Sequence, residues 1–420
     1  MKSLRPGVVR KAAVILAALS LLSAASIVAG CSNDKKDKIL VGFVAPLSGP
    51  LAGYTGAIEF IAKRALAEIN RGGGIYIKEF DKKLPMEIVW GDSESNAAKA
   101  REVAEKLVLE DKVDILVGAW TTATINPVSA VAERHGIPAL VSGGPLQSWM
   151  ADGPYTWVFG NVYDEGLLLD EAIAAWNFVA TNRKAGLLFD SGTEGTLYSA
   201  LAAAAAAAAG FEVFDPGRFP AGTPDYTGII DEFRREGCDI VVGNMILPDF
   251  KTYWGQCRQA GYIPKIMNIG KGLQFNADAD AIGPTAEGLT SEVMWNPSFK
   301  FVSPLTGQTS EEQGKSFSDS ENAAPPATIG YDWSTFETLW QVFTIAQSCE
   351  KEALRQALRE VDFESSTGRI KFADNVCIVP AVAGQWVKDE TWGWKTIILS
   401  SSAFPGIPAN PELMFPMPGS

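Results

Sequence analysis

The sequence predicts an α/β protein of two doubly wound, Rossmann-like lobes, and three observations predict it. Short apolar runs alternate with helix-period segments from residue 39 to about residue 270. Those runs are continuously apolar, as in parallel strands covered on both faces. The chain has 420 residues, 47% hydrophobic and 20% charged, which is enough for more than one core.

The elements come in order along the chain. "ILVGFVA" reads as a first strand, and Ile58, Ile61, Ala62, Ala65, Leu66 and Ile69 recur at helical spacing. "MEIVWGD" is a second strand and Ala97 to Leu109 the next helix. "DILVGAW", a helix from Asn126 to His135, "PALVS" and "YTWVFG" complete a first block. A second block starts with a helix from Asp164 to about Phe178. It continues through "KAGLLFD", helix 195–209, "FEVFD", helix 225–236, "CDIVVGN", helix 249–260 and "PKIMNIG". The alanine run 202–209 is a strong helix former that Gly210 stops. The last third breaks the rhythm. "GLTSEVMWNP" is strand-like, a polar stretch holds a short helix near 310–320, and further helices run from Tyr331 to Cys349 and from Lys351 to Glu360. The end, "GRIKF", "CIVPAVAGQWVKD" and "TWGWKTIIL", is β-like, and 401–420 is a Pro/Gly-rich tail expected on the surface.

Residues 1–30 join a basic start, with Lys2, Arg5, Arg10 and Lys11, to an apolar run of small residues, and so read as a secretory signal. "Val28-Ala29-Gly30-Cys31-Ser32" is similar to a bacterial lipobox, which makes Cys31 the expected lipidated mature N-terminus. Acyl chains on it anchor the protein to the membrane, and residues 31–37 are a polar tether. The formal charge is −13, and without the four positive charges of residues 1–30 it is −17. So acidic a chain, with no basic stripe, excludes nucleic acid as a partner.

No GxSxG, no GxxxxGK[ST] and no GxGxxG is present. With His135 the one histidine and no metal-ligand spacing among the cysteines, no metal or other cofactor is expected, and no enzyme activity. His135 ends a helix and is expected to meet its last carbonyls. Ligands of open α/β sheets bind beyond the carboxyl ends of the strands. Those ends carry "PLSGPLAGYTG", "AWTTATINP", "GGPLQSW", "SGTEGT", "NMILPDF" (opening at Asn244) and "GKG". Hydroxyls, free glycine amides and aromatic rings suit a small polar molecule.

These segments resemble the type I periplasmic binding proteins, in the group of the leucine/isoleucine/valine-binding protein. The resemblance runs from residue 38 to about 400. "VGFVAPLSGPLAGYTG" looks like the family's opening strand and ligand loop. "DILVGAWTTATINPVSAVAERHGIPALVS" looks like its third strand, hydroxyl turn and following helix and strand. "YTWVFG" looks like its first hinge crossing and "STGRIKFADN" like its late segment. The resemblance implies two lobes joined by a three-crossing hinge and closing on a solute. Lobe one is expected at 38–160 plus 297–360 and lobe two at 161–290 plus 368–400. It also implies an ABC permease as membrane partner. The alternative is an extracellular sensor that presents a small amide or amino acid to a membrane receptor.

By the family pattern Thr122 grips the ligand's carboxylate, with Thr121 beside it, Trp120 as a wall, Tyr54 as the lobe-one aromatic, and Gly143 and Gly144 as amide donors. Pro145 has no N–H to offer as a further donor. Thr122 or Thr124 also suits a plain helix cap. Where branched-chain members carry an acid for the ligand's ammonium, this chain reads "NIGKG", with Lys271 at or next to that place. A cation there repels an ammonium and offers a second charge to an acid, while Glu194 is able to receive an amine. Trp120, Trp295 and Trp149 are expected to offer flat walls. The expected ligand is therefore a small carboxylate, an aromatic acid or one that is amino-acid-like. Cys238 and Cys257, both expected at the bottom of lobe two, are the expected disulfide; Cys349 and Cys377 fall in different lobes.

Overall fold

The computed structural model describes residues 36–420, so the signal segment and Cys31 lie outside the described residues. The body from Lys38 onward is one unit. It opens with β1 (Ile39–Ala45), α1 (Ile58–Ile69), a hairpin of β2 (Ile75–Ile77) and β3 (Lys82–Leu84), then β4 (Met86–Asp92), α2 (Ala97–Leu109), β5 (Ile115–Ala119), α3 (Thr122–His135), β6 (Ala139–Pro145), α4 (Leu146–Met150) and β7 (Val158–Tyr163). The second series is α5 (Glu165–Trp176), β8 (Lys184–Asp190), α6 (Thr193–Ala208), β9 (Glu212–Phe214), β10 (Arg218–Phe219), α7 (Thr227–Glu236), β11 (Ile240–Met245), α8 (Leu247–Ala260), β12 (Ile266–Lys271), α9 (Asn276–Ile282) and β13 (Thr290–Val293). The last third holds α10 (Ser310–Glu321), α11 (Ile329–Ala346), α12 (Lys351–Glu360), the hairpin β14 (Asp362–Ser365) and β15 (Gly368–Lys371), then β16 (Val376–Ile378), β17 (Val382–Asp389) and β18 (Gly393–Ser400).

The strands form two main sheets, one per lobe, and the hairpins β2–β3 and β14–β15 stand outside them. The first has the order β16-β7-β6-β5-β1-β4 and is parallel throughout. The second runs β10-β8-β11-β12-β13-β17-β18, with β9 beside β8 and the last two strands antiparallel. Both are the doubly wound α/β pattern that the apolar runs predict. β1 and β5 have helices on both faces and are buried almost throughout.

Helix ends obey local chemistry. Asn96 caps α2 and Asp164 caps α5, each by accepting two backbone N–H groups. Thr309 and Glu312 form a capping box on α10. The alanine-rich α6 buries Gly195, Tyr198, Ser199, Ala202 and Ala206 along one face, and Tyr198 lies 5.6 Å from Phe189 of β8. Its small side chains let it lie close on the sheet.

Four expectations change. Helix α3 begins at Thr122, not Asn126. Pro127 sits inside it, past the first turn, and removes the bond that a backbone N–H there would make to the Ala123 carbonyl. Residues 376–378, expected in lobe two, pair with β7 of the first sheet, so Cys377 belongs there. The tail is not a surface trailer: Ile407, Met414 and Met417 are buried, and Gln385 Nε2 donates to the Phe415 carbonyl at 2.7 Å. Cys238 and Cys257 are free, buried thiols rather than a disulfide. Both belong to one apolar cluster with Tyr253 and Tyr262. Burial pushes the Cys238 thiol up to about 11 and the Cys257 thiol up to about 12, as for small packed hydrophobes.

Candidate functional site

The carboxyl ends of the two sheets face one another across a cleft. On the first sheet, Trp120 and Thr121 follow β5, and both take left-handed backbone angles, φ 59° and 63°. For a β-branched threonine this is a genuine outlier, and such positions cost about 1–3 kcal/mol each. The turn aims the N-terminus of α3 into the cleft. Beside it Gly143 has φ 76°, and a Cβ there would stand 2.3 Å from the Trp120 ring, so only glycine fits. On the second sheet, Lys271 at the end of β12 also has a left-handed φ, 65°.

Charges meet in the middle. Lys271 Nζ lies 3.0 Å from Glu194 Oε2, and both side chains are less than one-fifth exposed. Glu194 stands in the first turn of α6, where a helix favours an anion. It accepts two further bonds, from Asn244 Nδ2 at 2.8 Å and from Thr122 Oγ1 of the opposite lobe at 2.9 Å. Burial opposes its charge, but Lys271 and these donors outweigh burial and hold its carboxyl below the usual range. Burial likewise opposes the Lys271 ammonium, and Glu194 outweighs it and raises its pKa. Tyr54 Oη donates to the Lys271 carbonyl at 3.2 Å, a second link across the cleft.

Glu292 of β13 completes the floor. It accepts the Lys271 backbone N–H at 2.8 Å and a bond from Gln274 Nε2. Burial pushes its carboxyl up to about 7, with those donors only partly offsetting it. The inner cavity is lined by Tyr54, Thr121, Gly143, Pro145, Tyr163, Glu194, Lys271, Glu292 and Met294, and is narrow, about 10 Å³. It continues into a hollow of about 360 Å³ edged by Thr122, Asn126, Asp190, Glu194 and Lys271. Two buried polar atoms here have no partner: Thr121 Oγ1, on the inner wall, and Asn244 Oδ1.

Seven residues that the sequence singles out thus meet at this cleft: Tyr54, Thr121, Thr122, Gly143, Glu194, Asn244 and Lys271. Lys271 stands there ion-paired, not alone. Trp120 lies one layer back, between Tyr54 and Tyr331 at 5.7 and 5.3 Å, with Nε1 donating to Asp332. Gly144 packs on Ile125. Trp149 is buried against Tyr155 and donates to Ser129. Trp295 is not a cleft wall: extended chain alternates its faces, so Glu292 and Met294 face the cleft while Trp295 lines a separate hollow. His135 meets Glu105 at 2.6 Å rather than helix carbonyls. Tyr163, Glu292 and Met294 escaped the sequence reading. An acid inside the apolar run "TSEVMW" was the available signal for Glu292. Tyr163 was hidden because β7 runs three residues past "YTWVFG".

Among the described residues no helix is long and apolar enough to cross a membrane, and no group of three or more His, Cys, Asp or Glu is placed to hold a metal ion. A profile of the family described as "Periplasmic binding protein" matches residues 38–391. The Leu/Ile/Val-binding protein homolog 7 of Brucella suis is 23% identical over 83% of this chain and 87% of its own. Homolog 8 of Brucella abortus is 26% identical over 58% of this chain, and the match spans only 60% of that relative's length. A leucine binding protein, LivK, from Thermotoga maritima superposes with a TM-score of 0.72 at 14% identity, covering 87% of this chain and 99% of that one. A solute binding protein of an ABC transporter from Rhodopseudomonas palustris, in complex with 3,4-dihydroxybenzoic acid, gives 0.69 at 14% identity, covering 87% and 97%. The family match spans the first sheet, all of the second but its last strand β18, and every residue of the cleft, and on it the chain belongs to the periplasmic binding proteins, a family that captures solutes rather than transforming them.

Proposed function

We propose that the chain is an extracytoplasmic, lipid-anchored solute-binding protein of an ABC importer, and that its cleft captures a small carboxylate, an aromatic acid in preference to an amino acid. The observation that carries this is the N-terminus of α3. Its first side chain, Thr122, already binds a carboxylate oxygen, that of Glu194, and the neighbouring Thr121 Oγ1 is buried and unpartnered on the inner wall. A helix N-terminus with hydroxyl donors is suited to an anion. Tyr54, Tyr163 and Met294 supply ring-facing apolar surface. The Lys271 ammonium, paired with Glu194, still sets a like charge beside any α-amino group in the cleft. Relatives named for leucine, isoleucine and valine and a structural neighbour holding a dihydroxybenzoic acid bracket this choice. Cys31 provides the anchor, and the lobes, 38–160 with 297–360 and 161–290 with most of 368–400, close about their crossings.

Calorimetry on the mature chain tests the ligand class. Benzoate and hydroxybenzoates are expected to bind at micromolar concentration, with Thr121→Ala and Lys271→Ala weakening them at least tenfold. Micromolar binding of leucine or valine, no heat from benzoates and unaltered affinity in Lys271→Ala would overturn the reading.

A further inference from the structure

Glu194 divides its two oxygens between the lobes. Oε1 accepts from Asn244 Nδ2 at 2.8 Å, a partner in its own lobe. Oε2 accepts from Lys271 Nζ at 3.0 Å and, across the cleft, from Thr122 Oγ1 at 2.9 Å. Thr122 and Lys271 are the two groups that a carboxylate ligand is proposed to use. One oxygen of the protein therefore fills both.

The same side chain divides the cleft. Glu194 and Lys271 line both the inner cavity and the outer hollow, so together they form the wall between them. The inner cavity, about 10 Å³, has room for about one water. The hollow beyond the wall, about 360 Å³, is of the size that small-molecule sites usually have. A ring-bearing acid reaches the unpartnered Thr121 Oγ1 on the inner wall once Thr122 and Glu194 part. Parting is local. Glu194 keeps Asn244 and Lys271, which belong to its own lobe, and gives up Thr122. Tyr54 Oη leaves the Lys271 carbonyl in the same movement.

We propose that Glu194 is an internal stand-in for the ligand's carboxylate: it draws the lobes together by occupying Thr122 and Lys271, and an incoming acid binds by displacing it from Thr122. The inference rests on the reading of the cleft as a carboxylate site and adds the residue that sets its affinity. A grip that is open to ligand a tenth of the time binds about tenfold more weakly than a free one. Glu194 thus sets the concentration at which an acid is captured. Charge acts in the same direction, since with Glu194 neutral the Lys271 ammonium is left for the ligand.

Small-angle scattering and calorimetry on the full mature chain test this, with benzoate as probe. Glu194→Ala and Thr122→Val are both expected to raise the radius of gyration measured without benzoate, because each removes the same bond across the cleft. Their affinities are expected to move in opposite directions. Glu194→Ala and Glu194→Gln bind benzoate about tenfold more tightly than wild type, and Thr122→Val binds it about tenfold more weakly. A merely structural ion pair would lower affinity in all three. Glu194→Gln keeps the size of the side chain, and an unchanged circular dichroism spectrum verifies its fold. The inference is overturned if benzoate binds wild type and Glu194→Gln equally, or binds the variant more weakly. It is overturned as well if the scattering of Glu194→Ala matches that of wild type. A larger radius in both opened variants, with no benzoate heat from any of the proteins, keeps Glu194 as the latch and refutes the aromatic-acid reading of the cleft instead.

Discussion

Replacing Lys271 with methionine tests the electrostatics of the cleft without ligand. The ammonium is 3.0 Å from Glu194 Oε2, a gross attraction of about 5.5 kcal/mol at an effective dielectric of 20. Desolvation of both groups offsets much of that. Removing one partner, however, leaves the other buried and uncompensated, which costs about 3–5 kcal/mol. Glu194 keeps its bonds from Thr122 and Asn244, so the lower end applies. Wild-type Glu194 titrates below its unfolded value. Its contribution is therefore present above about pH 4.3 and lost as pH falls through the folded value. In Lys271→Met burial wins, the folded carboxyl rises above the unfolded value, and protonation on acidification relieves the strain. Glu292 moves the same way, since Lys271 helps to hold it down. Urea unfolding should find the variant about 3 kcal/mol less stable at pH 7, with the gap narrowing at pH 5. The double variant with Glu194→Gln should recover at least about 2 kcal/mol. A loss under about 1 kcal/mol, or a gap that widens on acidification, would refute the reasoning.

Other perturbations bear on separate features. Glu292, with its carboxyl pushed up to about 7 against about 4.3 unfolded, destabilises the folded chain as pH rises between those values; Glu292→Gln should gain on the order of 3 kcal/mol at pH 8 and little at pH 4, and equal unfolding curves at pH 8 would count against it. Gly143→Ala forces a Cβ to 2.3 Å from the Trp120 ring at φ 76° and should cost about 2 kcal/mol or more, seen as a lower thermal midpoint. Alkylation in denaturant without reductant should label Cys238, Cys257, Cys349 and Cys377 alike, whereas native protein should protect the buried Cys238, Cys257 and Cys377; a mass two hydrogen atoms light would restore the disulfide. Cys31→Ala should leave an unprocessed or unacylated chain by mass spectrometry, and normal acylation of it would remove the proposed anchor.

The sequence displayed its parallel strands because such strands are apolar without interruption, and "DILVG" and "DIVVG" show this directly. The turns at the carboxyl ends of those strands pointed to the segments of the cleft, because topology gathers strand ends whatever their spacing, and the family resemblance picked out Tyr54, Thr121, Thr122 and Gly143 within them. Facing was harder to read. Whether Trp295 or Met294 looks into the cleft is a one-residue phase difference, and one step flips every side chain. Partnering was hidden as well: Lys271 and Glu194 lie 77 positions apart, so nothing local signals their pairing. The hairpin β2–β3 and the helix α9 were missed because both are too short to display a period.

β16 is one edge strand of the first sheet, where Val376 pairs beside Gly160 and Asn375 ties to the carbonyls of Tyr155 and Val158. Everything between, including the whole parallel part of the second sheet, is synthesised before that edge can be sealed. An N-terminal half emerging alone would carry β7 with an open side and no α11 to cover Phe43, which stacks 5.9 Å from Phe336. Contacts so distant in sequence slow folding, and half-finished sheets aggregate. The order of strands therefore delays completion of the native state until nearly the entire polypeptide is available, which suits the export proposed for it.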